Sequence, residues 1–290
     1  EAGGKKPFTA KLVPLKVKQN ATMVIPPRET QEPAMVETTP AVIVDETKKP
    51  LAFETPGFDQ WVKEVSAMSA EQQVESVSKK LVELNPGFDG KVTNFGRNGT
   101  PLIESGVVTE LGFVTDKVSD ISPVRALPGL VHFACYGTGN NKCELSDISP
   151  LKGLPLKKLN IDSTSVADLT PIKDMKLLSL SASGSKIADL NPIKDMPLNH
   201  LIVCWTRVSD LSPLKGMSLT RLDVGGTQVT DISPIKDMPV TYLGIYSTGI
   251  TDFSALEGML ISELYLEGLP VTDLSLFAKM PLKGLYFINT

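Results

Sequence analysis

Val229-Thr-Asp-Ile-Ser-Pro-Ile-Lys-Asp-Met238 is one copy of a phrase that recurs through the second half of the chain, and its recurrence decides the fold. Copies start at Val118, Leu145, Val166, Ile187, Val208, Val229, Ile250 and Val271. From Leu145 onward the starts are 21 residues apart. The first interval is 27, lengthened by Gly129 and a short insertion around Gly139–Cys143. A unit this short cannot bury its own apolar face. Stacked copies share one continuous core, so a fixed period of this size indicates a solenoid.

The unit beginning at Leu145 shows how one coil is built. Leu156, Leu159 and Ile161 give the pattern L-x-x-L-x-L, with Leu159 and Ile161 alternating inward along a short strand. Thr164 follows, at a position where its side chain can hydrogen-bond the turning backbone. Val166, Leu169, Ile172 and Met175 then recur every three residues, which is the period of a 3₁₀ turn rather than an α-helix. Ser122, Ser149, Thr170, Asn191, Ser212, Ser233, Ser254 and Ser275 form one column of residue types that favour helix N-caps, and Pro follows the first six. The fold class expected is therefore an α/β repeat. It is a leucine-rich-repeat solenoid over residues 107–290, with a parallel sheet on the concave face and a 3₁₀ or irregular convex side. An entry strand near Val107–Val114 precedes eight units.

Upstream the text changes. Residues 1–57 carry Pro7, Pro14, Pro26, Pro27, Pro33, Pro40 and Pro50 and read as a Pro-rich linker, with Ala10–Val17 and Ala21–Ile25 as candidate short strands. Residues 58–106 read as a cap of two helices and a hairpin. Trp61, Val65 and Met68, then Val74, Val77, Leu81 and Leu84, recur at helical spacing. Ser69 with Gln72 matches a capping box, and Asn85-Pro-Gly87 ends the second helix. The hairpin is expected from a run at Val92–Phe95, a turn at Asn98-Gly99 and the strand at Val107–Val114. The start at Glu1 rather than Met suggests a longer precursor, and the stop at Thr290 suggests either further residues or an end that meets a partner.

The phrases Val229-Thr-Asp-Ile-Ser-Pro-Ile and Leu211-Ser-Pro-Leu-Lys-Gly-Met resemble the repeats of internalin-type bacterial proteins. They are also similar to the 21-residue repeats of planctomycete proteins, often attached to serine/threonine kinases. The lead-in Leu84-Asn-Pro-Gly-Phe-Asp-Gly-Lys-Val92 and the stretch Val118–Arg125 are similar to the region preceding those repeats, so the likeness covers residues 58–290. It implies a bacterial interaction scaffold and names no ligand. The chain itself carries no kinase motif, neither a glycine-rich loop with a partner Lys nor H-R-D or D-F-G.

Composition narrows the function. A net charge of −4 argues against general nucleic-acid binding, which needs an excess of Lys and Arg to neutralise phosphates. No apolar run approaches the roughly 20 residues that span a bilayer. Cys135, Cys143 and Cys204 are too few for a disulfide framework. His132 and Cys135 stand three apart on a strand and so on opposite faces, which speaks against a metal site with Cys143. Cys204 is expected exposed and lacks an adjacent base, and no nucleophile–base or carboxylate pair converges, so no enzyme activity and no cofactor are expected. The Asp column (Asp120 to Asp273) stands two residues before each Ser-Pro turn and reads as backbone capping rather than as a calcium site.

The function expected is protein or peptide binding on the concave face. Outward strand positions form three columns. Tyr242, Tyr246, Tyr265 and Tyr286, four of the five tyrosines, fall at the C-terminal end of that face. Ile202, Trp205, Arg221, Glu263 and Glu267 lie near them. Tyr, Trp and Arg dominate interface hot spots, which makes these nine the candidate partner-binding residues. Tyr is also simply a good strand former. The alternatives are the sensor or scaffold tail of a larger kinase and a cell-surface adhesion module. The compartment is not fixed by these residues, and an extracytoplasmic or cell-surface setting is favoured.

Overall fold

A computed structural model describes residues 50–139 and 143–287. The linker and its two candidate strands up to residue 49, and the middle of the 139–143 insertion, lie outside the described residues. Among the described residues the elements are two helices, α1 (Phe58–Ser66) and α2 (Ala70–Leu84), and ten strands in one sheet ordered as they occur in the chain. The strands are β1 (Leu102–Glu104), β2 (Val107–Val114), β3 (His132–Tyr136), β4 (Lys158–Asn160), β5 (Ser179–Ser181), β6 (His200–Ile202), β7 (Arg221–Asp223), β8 (Tyr242–Gly244), β9 (Glu263–Tyr265) and β10 (Gly284–Tyr286). β1 is antiparallel to β2, and every later pair is parallel and in register, as in Leu201 beside Leu222 beside Leu243. The solenoid is thus one entry strand and eight units.

The core is the inward column of each strand joined to the convex turns. In the unit of β7, Leu211, Leu214, Leu219, Leu222, Val224 and Val229 are all buried. Each such side chain stabilises by roughly 1.5–3 kcal/mol relative to an exposed one. The convex side is made of 3₁₀ turns such as Ser212–Leu214 and Ser233–Ile235. The turns after β4–β7 are each tied by a buried hydroxyl. Thr164, Ser185, Thr206 and Thr227 each donate to the carbonyl three residues back, at 2.6–2.7 Å.

Two local expectations are corrected. The backbone capping expected of the Asp column is present, whereas the Ser column, also expected to supply N-caps, does not cap the turns itself. Asp210 Oδ1 accepts from the Ser212 amide at 2.8 Å, and Asp168, Asp189, Asp231, Asp252 and Asp273 repeat this with their own neighbours. The Ser hydroxyls donate to the second carboxylate oxygen, as Ser212 does to Asp210 at 2.7 Å, so the short side chain braces the capper. The hydroxyl and amide of Ser212 hold Asp210 below its ordinary carboxylate range. The second correction concerns the hairpin. β2 pairs with Leu102–Glu104 through a two-residue turn at Ser105-Gly106, where both residues have positive φ (52° and 77°). That backbone matches the twist of paired strands. Asn98-Gly99 lies in the loop before β1, and Thr93 makes only an isolated bridge to Gly112.

The cap is bolted to the first unit by polar contacts. Ser69 and Gln72 form the capping box of α2. At its other end Asn85 bonds Leu81 and the first repeat, and Asp120 takes the amides of Ala52 (2.7 Å) and Ser122 (2.8 Å). The 3₁₀ turn Ala52–Glu54 therefore packs on the solenoid's first turn rather than trailing from it.

Candidate functional site

The sheet's outer face divides into two halves. Over β2–β4 it is occupied by the chain itself. The carbonyl of Asn94 stands 2.7 Å from where a Cβ on Gly112 would lie, so only glycine lets the loop cross β2 there. Phe95 then packs against His132, with ring centroids 5.8 Å apart, and His132 Nδ1 pairs with Glu110 at 2.8 Å. Arg97 reaches furthest. Its guanidinium lies 3.9 Å from the Tyr136 ring centroid and bonds Asp162 Oδ2 at 2.9 Å.

The other half, over β6–β10, carries the candidate residues. Arg221 stacks on Tyr242 at 3.5 Å. Tyr242 lies diagonally against Tyr265, centroids 5.0 Å apart, and Tyr265 stacks on Tyr286 at 4.2 Å and 8°. The hydroxyl of Tyr265 points to Glu263 at 3.5 Å. One column over, Trp205 and Tyr246 meet at 6.0 Å. They approach across two glycines, since a Cβ on Gly225 would fall 2.3 Å from the Tyr246 ring and one on Gly226 2.2 Å from Trp205. Ile202 stands at the border, beside Asp223 on the neighbouring strand. The rings shield one another. Tyr242, Tyr246 and Tyr265 are half-buried rather than exposed, whereas Tyr286 is exposed and Trp205 is 59% exposed.

Cys204, expected exposed, is half-buried, and its thiol donates to Ser183 Oγ at 3.2 Å. Burial pushes that thiol upward from its ordinary range, which disfavours the thiolate a nucleophile needs. Among the described residues no three His, Cys, Asp or Glu side chains gather where a metal would sit, and no helix is long and apolar enough to cross a membrane.

Two features were not assigned from sequence. Asp223 is nearly buried at the centre of the face and accepts the Gly225 amide at 3.0 Å. Burial raises its carboxyl above the ordinary range, against the pull of the Gly225 amide, Arg221 and the Tyr246 hydroxyl, while Glu267 raises it further. A carboxyl whose folded pKa is raised binds protons on folding, so stability falls as pH climbs from the ordinary value near 3.8 through the raised one. Asp223→Asn is expected to raise Tm at neutral pH and to remove this slope; a lower Tm at pH 7 would contradict it.

The second feature is the backbone of Trp205, whose side chain is already among the candidates but whose conformation was not foreseen. It occupies a column that, from the unit of β4 onward, otherwise reads Ser163, Gly184, Gly226, Ser247 and Gly268, all with positive φ, and its own φ is 58°. A bulky side chain there costs about 1–2 kcal/mol relative to the right-handed region. Reading that column down the repeats would have singled it out.

No family model and no curated protein matches the chain. Among solved structures, internalin C2 from Listeria monocytogenes superposes with a TM-score of 0.55 at 21% identity, over 62% of this chain and 81% of that one. The internalin InlF of the same species gives 0.41 at 25% identity, covering 59% and 66%, and the functional domain of its InlJ gives 0.39 at 20%, covering 61% and 43%. By its likeness to internalin C2 and its parallel, in-register sheet, the chain has a leucine-rich-repeat fold of the internalin type.

Proposed function

We propose that this chain is a non-catalytic module that binds a protein or peptide through the β6–β10 half of its concave face. The observation that carries the reading is Trp205, a large exposed indole held on strained backbone over Gly226, beside Tyr246. Residues kept at a cost in stability point toward function. The connected rings of Tyr242, Tyr265 and Tyr286 extend the same surface, and Tyr and Trp anchor interfaces at low entropic cost.

The kinase-tail and surface-adhesion readings differ in what flanks the chain and use the same face. Trp205→Gly separates binding from packing. The full chain is used to capture a partner, and the variant is compared for affinity and thermal stability. The expected result is at least a tenfold loss of affinity with Tm unchanged or raised, because glycine relieves the left-handed strain. A lowered Tm with full affinity would mean that Trp205 is a packing residue and would overturn the reading.

A further inference from the structure

The solenoid places a tyrosine and a carboxylate at the same two column positions twice, and one of the two pairs holds a guanidinium. Tyr136 and Asp162 are successive members of the outward column that continues through Ser183, Cys204, Gly225, Tyr246 and Glu267, and the amide of Gly137 donates to the Asp162 carbonyl at 2.8 Å. Tyr246 and Glu267 are successive members of that column further along, and the amide of Ser247 donates to the Glu267 carbonyl at 2.7 Å. The two pairs therefore occupy equivalent positions. In the first, the guanidinium of Arg97 lies on the ring and bonds the carboxylate. In the second, no guanidinium among the described residues lies on the ring. Glu267 Oε2 is buried with no hydrogen-bond partner, although the side chain as a whole is only half-buried. A carboxylate with one oxygen shielded from water and undonated is costly, and a planar cation bound at the accessible part of the side chain offsets its charge.

We infer that Tyr246 and Glu267 form a receptor for an arginine side chain presented by the protein partner, bound as Arg97 is bound by Tyr136 and Asp162. The inference rests on the proposed partner-binding face and names the chemistry it reads there. Charge agrees with it. Asp223, Glu263 and Glu267 outweigh Arg221 within the patch, and Arg221 is already engaged on Tyr242. Trp205 adds a second aromatic wall, since indole and phenol faces both attract a guanidinium. The open pair differs from the filled one by one methylene, because Glu replaces Asp, so the incoming group sits slightly further from the strand.

The test uses the full chain and three small probes: acetyl-arginine amide, acetyl-lysine amide and the uncharged acetyl-citrulline amide. The indole signal of Trp205 is followed by NMR, with Trp61 in the cap as the internal reference. The arginine probe is expected to shift Trp205 saturably, with a dissociation constant on the order of millimolar, and citrulline to leave it unmoved. Glu267→Gln preserves shape and removes the charge, and is expected to weaken the arginine probe about tenfold. In Arg97→Ala the internal pair is vacated, and the arginine probe should then shift Tyr136 as well. Equal shifts from arginine and citrulline, stronger binding of lysine than arginine, an undiminished response in Glu267→Gln, or no response at Tyr136 in Arg97→Ala would each overturn the assignment. None of these outcomes touches the partner-binding face itself, which is judged by Trp205→Gly against the captured partner.

Discussion

Asn85→Ala is expected to lower the unfolding free energy by about 3–5 kcal/mol, the largest single effect on stability anticipated for this chain. Asn85 is 2% exposed and uses both ends of its amide. Nδ2 donates to the carbonyls of Leu81 (2.8 Å) and Asp120 (2.9 Å), while Oδ1 accepts the amides of Ser119 and Asp120, both at 2.9 Å. Alanine leaves a buried donor on Asp120, a partly buried one on Ser119 and the Asp120 carbonyl unanswered, each buried group costing roughly 1–3 kcal/mol. The damage spreads because Asp120 also holds Ala52 and Ser122. Denaturant melts should show the full loss for Asn85→Ala and an intermediate one for Asn85→Asp, which still accepts but no longer donates. A loss below about 1 kcal/mol for alanine would mean that the cap is not energetically coupled to the solenoid.

Tyr246→Ala combined with Tyr265→Ala is expected to weaken partner binding by about a hundredfold or more, since a buried aromatic anchor contributes roughly 2 kcal/mol or more. Tyr265 is the hub of the ring ladder, touching Tyr242 and Tyr286, and Tyr246 faces Trp205. Stability should fall modestly, because each aromatic pair contributes about 0.5–1.5 kcal/mol and the inward core is untouched. Isothermal titration with the captured partner, beside a thermal melt of the variant, separates the two effects. Unchanged affinity would leave the tyrosines as strand formers and remove them from the site.

What could be read in advance was what repeats. The 21-residue period, the inward leucines and the three-residue spacing of Val166, Leu169, Ile172 and Met175 are local patterns that recur, so each copy corroborates the others. The outward columns followed for the same reason, because parallel strands in register carry them from unit to unit. The division of labour between Asp210 and Ser212 was harder, since both residue types cap helices and only the hydrogen bonds show which one does. Asn98-Gly99 misled because its composition suits a hairpin turn, whereas Ser105-Gly106 closes the paired strands.

The candidate site was legible as a cluster and illegible as an arrangement. Column positions placed Tyr242, Tyr265 and Tyr286 on one face, but the diagonal step from the first column to the second depends on strand spacing and on which way each ring turns. The covering of β2–β4 by Phe95 and Arg97 had no local signature either, because Arg97 and Asp162 are 65 residues apart in the chain. That covering matters most for the proposed binding role. It leaves the aromatic half as the open part of the concave face, and it supplies within the same molecule an example of how the face holds a guanidinium.

The most direct measurement is hydroxyl-radical footprinting of the full chain with and without its captured partner, read by mass spectrometry at each aromatic side chain. Trp205, Tyr246 and Tyr286 should lose most of their reactivity in the complex, while Trp61 in the cap and the half-buried Phe253 on the convex side keep theirs. Protection confined to Trp61 or Phe253, with Trp205 and the tyrosines as reactive as in the free chain, would place the partner elsewhere and contradict the account.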